Sequence, residues 1–256
     1  MRPSLAGRLR LLRLPLAGTT VADIWAGFFG AQAWLATGPP AAPPPEGWLA
    51  RLFFLHAASL ALYGAGMTLN DVFDAGRDRD LYPDRPIPSG QIDRRRAATQ
   101  GAGLLALGIA AAFAAGPAHG VIGTALAGAI LAYDGALKRR RLLGALAMGC
   151  CRALDVQLGA GLAVGAFFPP ALALGAYSTL VTAFSTLEER KGLDRARIER
   201  TTRLFLLGIF LVDAGSLAWL GRPRLAATTA ALVATFPLLA RVQRTLGVLP
   251  PPRQRA

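Results

Sequence analysis

Asn70, Asp71, Asp74 and Asp78 stand at the end of a long apolar run, in the sequence Asn-Asp-Val-Phe-Asp-Ala-Gly-Arg-Asp. On a helix of 3.6 residues per turn, aspartates at i, i+3 and i+7 share an arc of roughly 60°. Asn70 lies one turn before Asp74 on a neighbouring stripe. Carboxylates crowded in this way repel one another, and more strongly as water is withdrawn. A hard divalent cation resolves the conflict, and Mg²⁺ held by carboxylates and shared with phosphate oxygens is its usual form. The alternative is a solvated acidic helix end, which at a membrane boundary is costly without a use.

Other polar residues could complete such a site. Beyond Asp78 the chain reads Asp84-Arg85-Pro86-Ile87-Pro88-Ser89-Gly90. Its prolines and glycine stop the helix and turn the chain back. Arg85 on that turn is either a phosphate contact or one more interfacial charge. A second polar stretch, Tyr133-Asp134-Gly135-Ala136-Leu137-Lys138-Arg139, closes another apolar run. Lys138 and Arg139 are cations of the kind a phosphate requires, or ordinary snorkelling side chains. Tyr133, one turn inside, is an interfacial tyrosine or a hydroxyl in the pocket. Arg152 and Asp155 lie at i, i+3 within a further apolar run, as substrate-binding candidates or a mutual ion pair. Asp23 and Asp213 are intramembrane carboxylates, hence either site residues or groups bonded within the bundle.

The elements that must carry these residues are helices in lipid. Of 256 residues, 53% are hydrophobic and only 17% charged, with a mean hydropathy of +0.40. Apolar stretches recur at 16–36, 48–69, 97–115, 121–137, 142–167, 171–187, 204–220 and 225–240. Most approach the ~20 residues that cross a bilayer, and their glycine and alanine content suits close helix packing. The expectation is an all-α, polytopic transmembrane bundle of about eight spans, forming a single domain over 1–256. The net charge of +13 is topological. Of the 28 basic residues, 24 fall in alternate connections, which predicts both termini and the acidic cluster on the cytoplasmic side of the cell membrane. Nucleic acid is not an expected partner. The first apolar run contains Asp23 and is long enough to span, so it reads as a helix and not as a cleaved leader. Cys150 and Cys151 are adjacent, which fits neither a disulfide framework nor a zinc site.

The Asn70, Asp71, Asp74, Asp78 set resembles the N-D-x-x-D-x-x-x-D signature of the UbiA superfamily of intramembrane prenyltransferases. The turn at 84–90 is similar to that family's usual continuation. Tyr133 and Lys138 resemble its Tyr-x-x-x-Lys pair with one extra residue. The wording around Tyr133-Asp134, Leu137-Lys138 and Cys151-Arg152 resembles the EboC-like bacterial branch. The resemblance implies a UbiA-like fold, usually of nine spans, and Mg²⁺-dependent transfer of a prenyl group from an isoprenyl diphosphate to a lipophilic or aromatic acceptor. In that reading Asp71, Asp74 and Lys138 are catalytic. Asn70, Arg85, Tyr133, Arg139, Arg152 and Asp155 bind substrate, and Asp71, Asp74, Asp78, Glu188 and Glu189 bind metal. The last two depart from the family's second aspartate cluster. They are glutamates, and Asp194 follows Glu189 by five residues where about four are usual. That departure keeps open a non-catalytic relative that binds or helps transport a prenyl or aromatic metabolite. A CDP-alcohol phosphotransferase needs glycine where Ala75 stands and alanine where Asp78 stands, and is set aside.

The charge distribution yields a topology test. Single cysteines introduced at Ala42 and Ala118 should be labelled from outside the membrane and one at Ala256 only from inside. Outside labelling of position 256 would contradict an even number of spans.

Overall fold

The computed structural model describes residues 5–36, 46–190 and 195–245, with side chains for all of these except 186–203. Ten α-helices occur among the described residues: α1 (Leu5–Leu11), α2 (Gly18–Leu35), α3 (Trp48–Leu81), α4 (Arg94–Ala115), α5 (Pro117–Gly135), α6 (Arg141–Ala160), α7 (Pro169–Arg190), α8 (Arg195–Trp219), α9 (Pro223–Ala231) and α10 (Thr235–Thr245). A 3₁₀ turn at Leu232–Ala234 makes α9 and α10 nearly one rod, so eight long helical segments match the eight expected runs. Four of them, α3, α4, α6 and the α9–α10 rod, are long and apolar enough to cross a membrane. The others are less uniformly apolar because they carry polar residues such as Asp23 in α2 and Asp134 in α5. Large apolar side chains, including Phe53, Leu107, Leu180 and Leu211, face outward. That is the surface expected against lipid.

α3 is the organising element. Its 34 residues span about 51 Å at 1.5 Å per residue, against a hydrocarbon core of about 30 Å. The last turns, with Asn70 to Asp78, therefore emerge at one face of the bundle. α4 packs along α3, and α6 packs between α2 and α7. The central core gathers Ile24, Leu55, Leu62, Leu126, Ile130 and Leu158.

The α2–α6 seam depends on small residues. A Cβ at Gly27 would collide with the carbonyl of Val156, and one at Gly159 would press on the carbonyl of Ile24. The two backbones therefore touch without intervening side chains, as small residues permit in lipid. One expected boundary moves. The run 142–167 is not one helix, because α6 stops at Gly161 with φ +80 and Gly165 follows at φ +77. The Gln157 side chain donates to both carbonyls, at 2.7 and 3.1 Å, which fixes the turn.

Gly27→Leu should thus lower unfolding stability in detergent by about 1–3 kcal/mol, the cost of overpacking. Gly76→Ala, where an added Cβ meets no atom within 4 Å, should leave stability unchanged or raise it by up to about 1 kcal/mol. Equal effects of the two would show that the seam is not tight.

Candidate functional site

Each aspartate of the α3 face is held by a cation from a different part of the chain. Asp71 accepts a hydrogen bond from Arg13 at 2.8 Å, and Arg85 lies 3.8 Å from the same oxygen. Asp78 accepts from Arg85 at 2.6 Å. Asp74 pairs with Lys138 at 3.0 Å. Lys138 also donates to the Asn70 amide oxygen at 2.8 Å and lies 3.6 Å from Asp134. Asp71 and Asp78 are buried and Asp74 nearly so. Three buried acids are thereby matched by three cations.

Local structure explains how the cations arrive. The turn after α3 doubles back through Arg85 N–H to the Tyr82 carbonyl and Ser89 N–H to the Arg85 carbonyl. Arg85 lies over the Tyr82 ring, 4.3 Å from its centroid. Gly90, at φ +74, lets the chain turn again, and Ile92 drops into a small apolar cluster with Leu11, Val72 and Ala97. Asp93 then caps α4 through the backbone N–H groups of Arg95 and Arg96. Lys138 sits on a 3₁₀ turn, Leu137–Arg139, that follows the end of α5. This turn accounts for the extra residue between Tyr133 and Lys138. It packs so closely on α6 that a Cβ at Gly144 would press on Lys138 and Leu137 backbone atoms. Arg139, beside Lys138, is exposed and forms no ion pair among the described residues.

Arg13 was read from the sequence only as one of the topological charges. Its backbone is left-handed, φ +44, a conformation uncommon outside glycine and enriched where function constrains the chain. The Tyr63 hydroxyl donates to its carbonyl at 3.1 Å. Arg10 donates to Gln91 and to the Asp84 carbonyl, at 2.9 and 3.1 Å. The N-terminal segment therefore clamps the turn that carries Arg85. The only sequence signal was the position of Arg13 just before Leu14-Pro15, where α1 must break.

A cavity of about 410 Å³ opens from this face into the bundle. Arg13, Asn70, Tyr133 and Asp134 line it, with Leu62, Met67, Leu126 and Ile130 among its apolar walls. Cys151, Arg152 and Asp155 line it as well. Arg152 and Asp155 do not pair with each other as the i, i+3 spacing suggested. Arg152 instead reaches across to Asp23 on α2, at 2.6 Å, while Asp155 accepts from Ser59 on α3 at 2.7 Å. Asp213 on α8 lies against Asp23. Glu188, Glu189 and Asp194 fall outside the residues whose side chains are described.

Among the described residues no three His, Cys, Asp or Glu side chains already converge on a point that could hold a metal ion. The donor set nonetheless fits a hard cation. Asp71, Asp74 and Asp78 offer carboxylate oxygens on one helix face, the donor type a hard cation takes, and Asp78 Oδ1 is buried with no hydrogen-bond partner among the described residues.

The UbiA prenyltransferase family pattern matches residues 24–249, and the chain belongs to that family. It is similar to the digeranylgeranylglyceryl phosphate synthase of Methanosarcina barkeri, 34% identical over 125 residues, 49% of this chain and 43% of the relative. The synthase of Methanothermobacter thermautotrophicus is 31% identical over 156 residues, 59% of this chain and 55% of the relative. For the first of these the matched stretch spans less than half of the relative's length. A solved structure of a UbiA homologue from Archaeoglobus fulgidus, bound to GPP and Mg²⁺, superposes with a TM-score of 0.57 at 19% identity, covering 93% of this chain and 87% of that one. A structure described as digeranylgeranylglyceryl phosphate synthase in membranes gives 0.58 at 19% identity, covering 93% and 88%. At such identity the likeness establishes the fold, a helical membrane bundle.

The pairing pattern predicts a compensating double variant. Arg13→Met strands Asp71 with only the longer Arg85 contact, and should cost about 1–2 kcal/mol of stability, since Arg13 is partly exposed. Arg13→Met combined with Asp71→Asn should recover at least half of that in chemical denaturation. Simple addition of the two losses would contradict the pairing.

Proposed function

We propose that this protein is a Mg²⁺-dependent prenyltransferase of the cell membrane, with its active-site connections on the cytoplasmic side. It would take an isoprenyl diphosphate as donor and pass the prenyl group to a lipophilic or aromatic acceptor. The observation that carries this reading is the pairing of the three α3 carboxylates with Arg13, Arg85 and Lys138, beside a largely apolar cavity that Arg13, Asn70 and Asp134 line. Membership of the UbiA family and the ligands of the Archaeoglobus fulgidus homologue support the same donor class. The named activity of the curated relatives makes a glycerol phosphate lipid one candidate acceptor.

Asp71, Asp74 and Asp78, with Asn70 beside them, are the residues that would hold the metal. When bound, Mg²⁺ supplies positive charge that stabilises the diphosphate as it departs. Arg13, Arg85 and Lys138 exchange their carboxylate partners for phosphate oxygens, which charge-assisted hydrogen bonds favour. Asp71, Asp74 and Asp78 would be left to the metal as these cations turn to the diphosphate, so no buried charge is stranded. The bond from the allylic carbon to the diphosphate oxygen breaks, a bond to the acceptor forms, and the acceptor loses its proton. The apolar walls at Leu62, Met67, Leu126 and Ile130 keep water from the electron-poor allylic carbon. The cytoplasmic placement rests on the basic residues of the connections around this site.

The test is incubation of purified protein with labelled isoprenyl diphosphates, with and without Mg²⁺, following pyrophosphate release. Release that requires Mg²⁺ is expected. Binding without release would instead favour a carrier, and no binding would overturn the reading. Asp74→Asn should cost on the order of 2–5 kcal/mol in metal-dependent diphosphate binding, and Lys138→Met should add less in that background than alone.

A further inference from the structure

We infer that Asp134 keeps Lys138 aimed at the diphosphate once the metal has taken Asp74. It is a positioning residue for donor binding, acting through Lys138. This rests on the prenyltransferase reading and deepens it.

Lys138 is held from two directions. Its ammonium donates to Asn70 Oδ1 at 2.8 Å and lies 3.0 Å from Asp74, both on α3. Asp134 stands apart from that face. It lies in the last turn of α5, four residues before Lys138, with Oδ1 of its carboxylate 3.6 Å from the ammonium. Charge-assisted N–H···O bonds run at about 2.7–2.9 Å, so this contact is an ion pair whose hydrogen bond is not made. The same Oδ1 is buried and has no hydrogen-bond partner among the described residues. A buried carboxylate oxygen without a donor is costly. Among the described residues, Lys138 is the cation that pairs with it.

Metal binding shifts this balance. Asp74 carries the negative charge that draws the ammonium towards α3. With that carboxylate on a divalent cation, Lys138 loses its closest acid and is repelled by the metal's own charge. Its backbone stays fixed, through Ala136 N–H to the Ala132 carbonyl at 3.1 Å and Arg140 N–H to the Leu137 carbonyl at 2.9 Å. What is released is the long side chain, whose rotamer freedom a ligand would then have to remove. Asp134 prevents the release. Its Oδ1 needs a donor, and an ammonium has three. Asn70 and Asp134 both line the cavity, so an ammonium held between them stands beside it with a donor left for a phosphate oxygen. The orphaned oxygen in the empty site is thus explained by the bound one.

The experiment measures binding of farnesyl thiolodiphosphate, and separately of Mn²⁺, to the purified full chain. With Mg²⁺ present, Asp134→Asn should weaken thiolodiphosphate binding about tenfold, and Lys138→Met at least as much. In the Lys138→Met background, Asp134→Asn should cost no more than about twofold further, because the two side chains act as one unit. Asp134→Glu keeps the charge and should stay within about threefold of wild type. Mn²⁺ binding without thiolodiphosphate should also stay within about threefold in Asp134→Asn, since Asp134 is not a metal ligand. Undiminished thiolodiphosphate binding in either Asp134→Asn or Lys138→Met would overturn the assignment. So would multiplied losses in the double variant, equal losses in Asp134→Glu and Asp134→Asn, or a tenfold loss of Mn²⁺. Should Asp134→Asn alone not fold, Lys138→Met against the double variant, in which neither charge is left unpaired, still decides. Failure of the wild type to bind the thiolodiphosphate with Mg²⁺ would overturn the prenyltransferase reading itself, and this assignment with it.

Discussion

Like charge on one helix face at the edge of a bilayer has to be neutralised, and much of this structure follows from how that is done. Asp71, Asp74 and Asp78 sit where α3 leaves the apolar layer, too buried to rely on water. Their three cations come from the N-terminal segment, the turn after α3 and the turn after α5. Each of those segments has an irregular backbone for that purpose. Arg13 is left-handed, the 82–92 turn folds back on itself, and Lys138 rides on a 3₁₀ turn. All three irregular segments meet at the end of α3. In a site assembled this way each cation is held in place by a carboxylate before any ligand arrives, which lowers the ordering cost of binding.

A second polar cluster imposes an independent constraint deeper in the bundle. Arg152 is the one guanidinium set among Asp23, Asp155 and Asp213, drawn from α2, α6 and α8. Ser59 ties the group to α3. The Arg152–Asp23 and Asp155–Ser59 contacts tie α6 to α2 and α3, and breaking either would leave a buried carboxylate without its partner. The glycine seam between α2 and α6 brings the helices close enough for Arg152 to reach Asp23. Apolar contact and ionic pairing are thus satisfied by the same approach of two backbones.

Much of the fold was legible in the sequence because lipid makes hydropathy an almost literal record of helices. The eight apolar runs all appear as helical segments, with the main error at 161–167, where two glycines with positive φ end α6 early. The Asn70–Asp78 face was legible because its spacing has meaning within one helix. Contacts between distant segments were not. Arg13 looked like one more topological charge, since nothing local ties it to Asp71, 58 residues away. The i, i+3 spacing of Arg152 and Asp155 suggested a local pair, and the nearness of α2 redirected Arg152 to Asp23. Asp134, close to Lys138, carried no signal beyond its place in a motif.

The central claim is that one face of α3 holds a metal and a diphosphate together. Mn²⁺ can stand in for Mg²⁺ at oxygen-ligand sites. Electron paramagnetic resonance of the Mn²⁺-loaded protein with a bound isoprenyl thiolodiphosphate tests the claim directly through coupling of the metal to ³¹P. The account predicts ³¹P hyperfine coupling in the wild type and its loss in Asp71→Asn combined with Asp74→Asn. Undiminished coupling in that double variant, or bound diphosphate without any coupling to the metal, would contradict it.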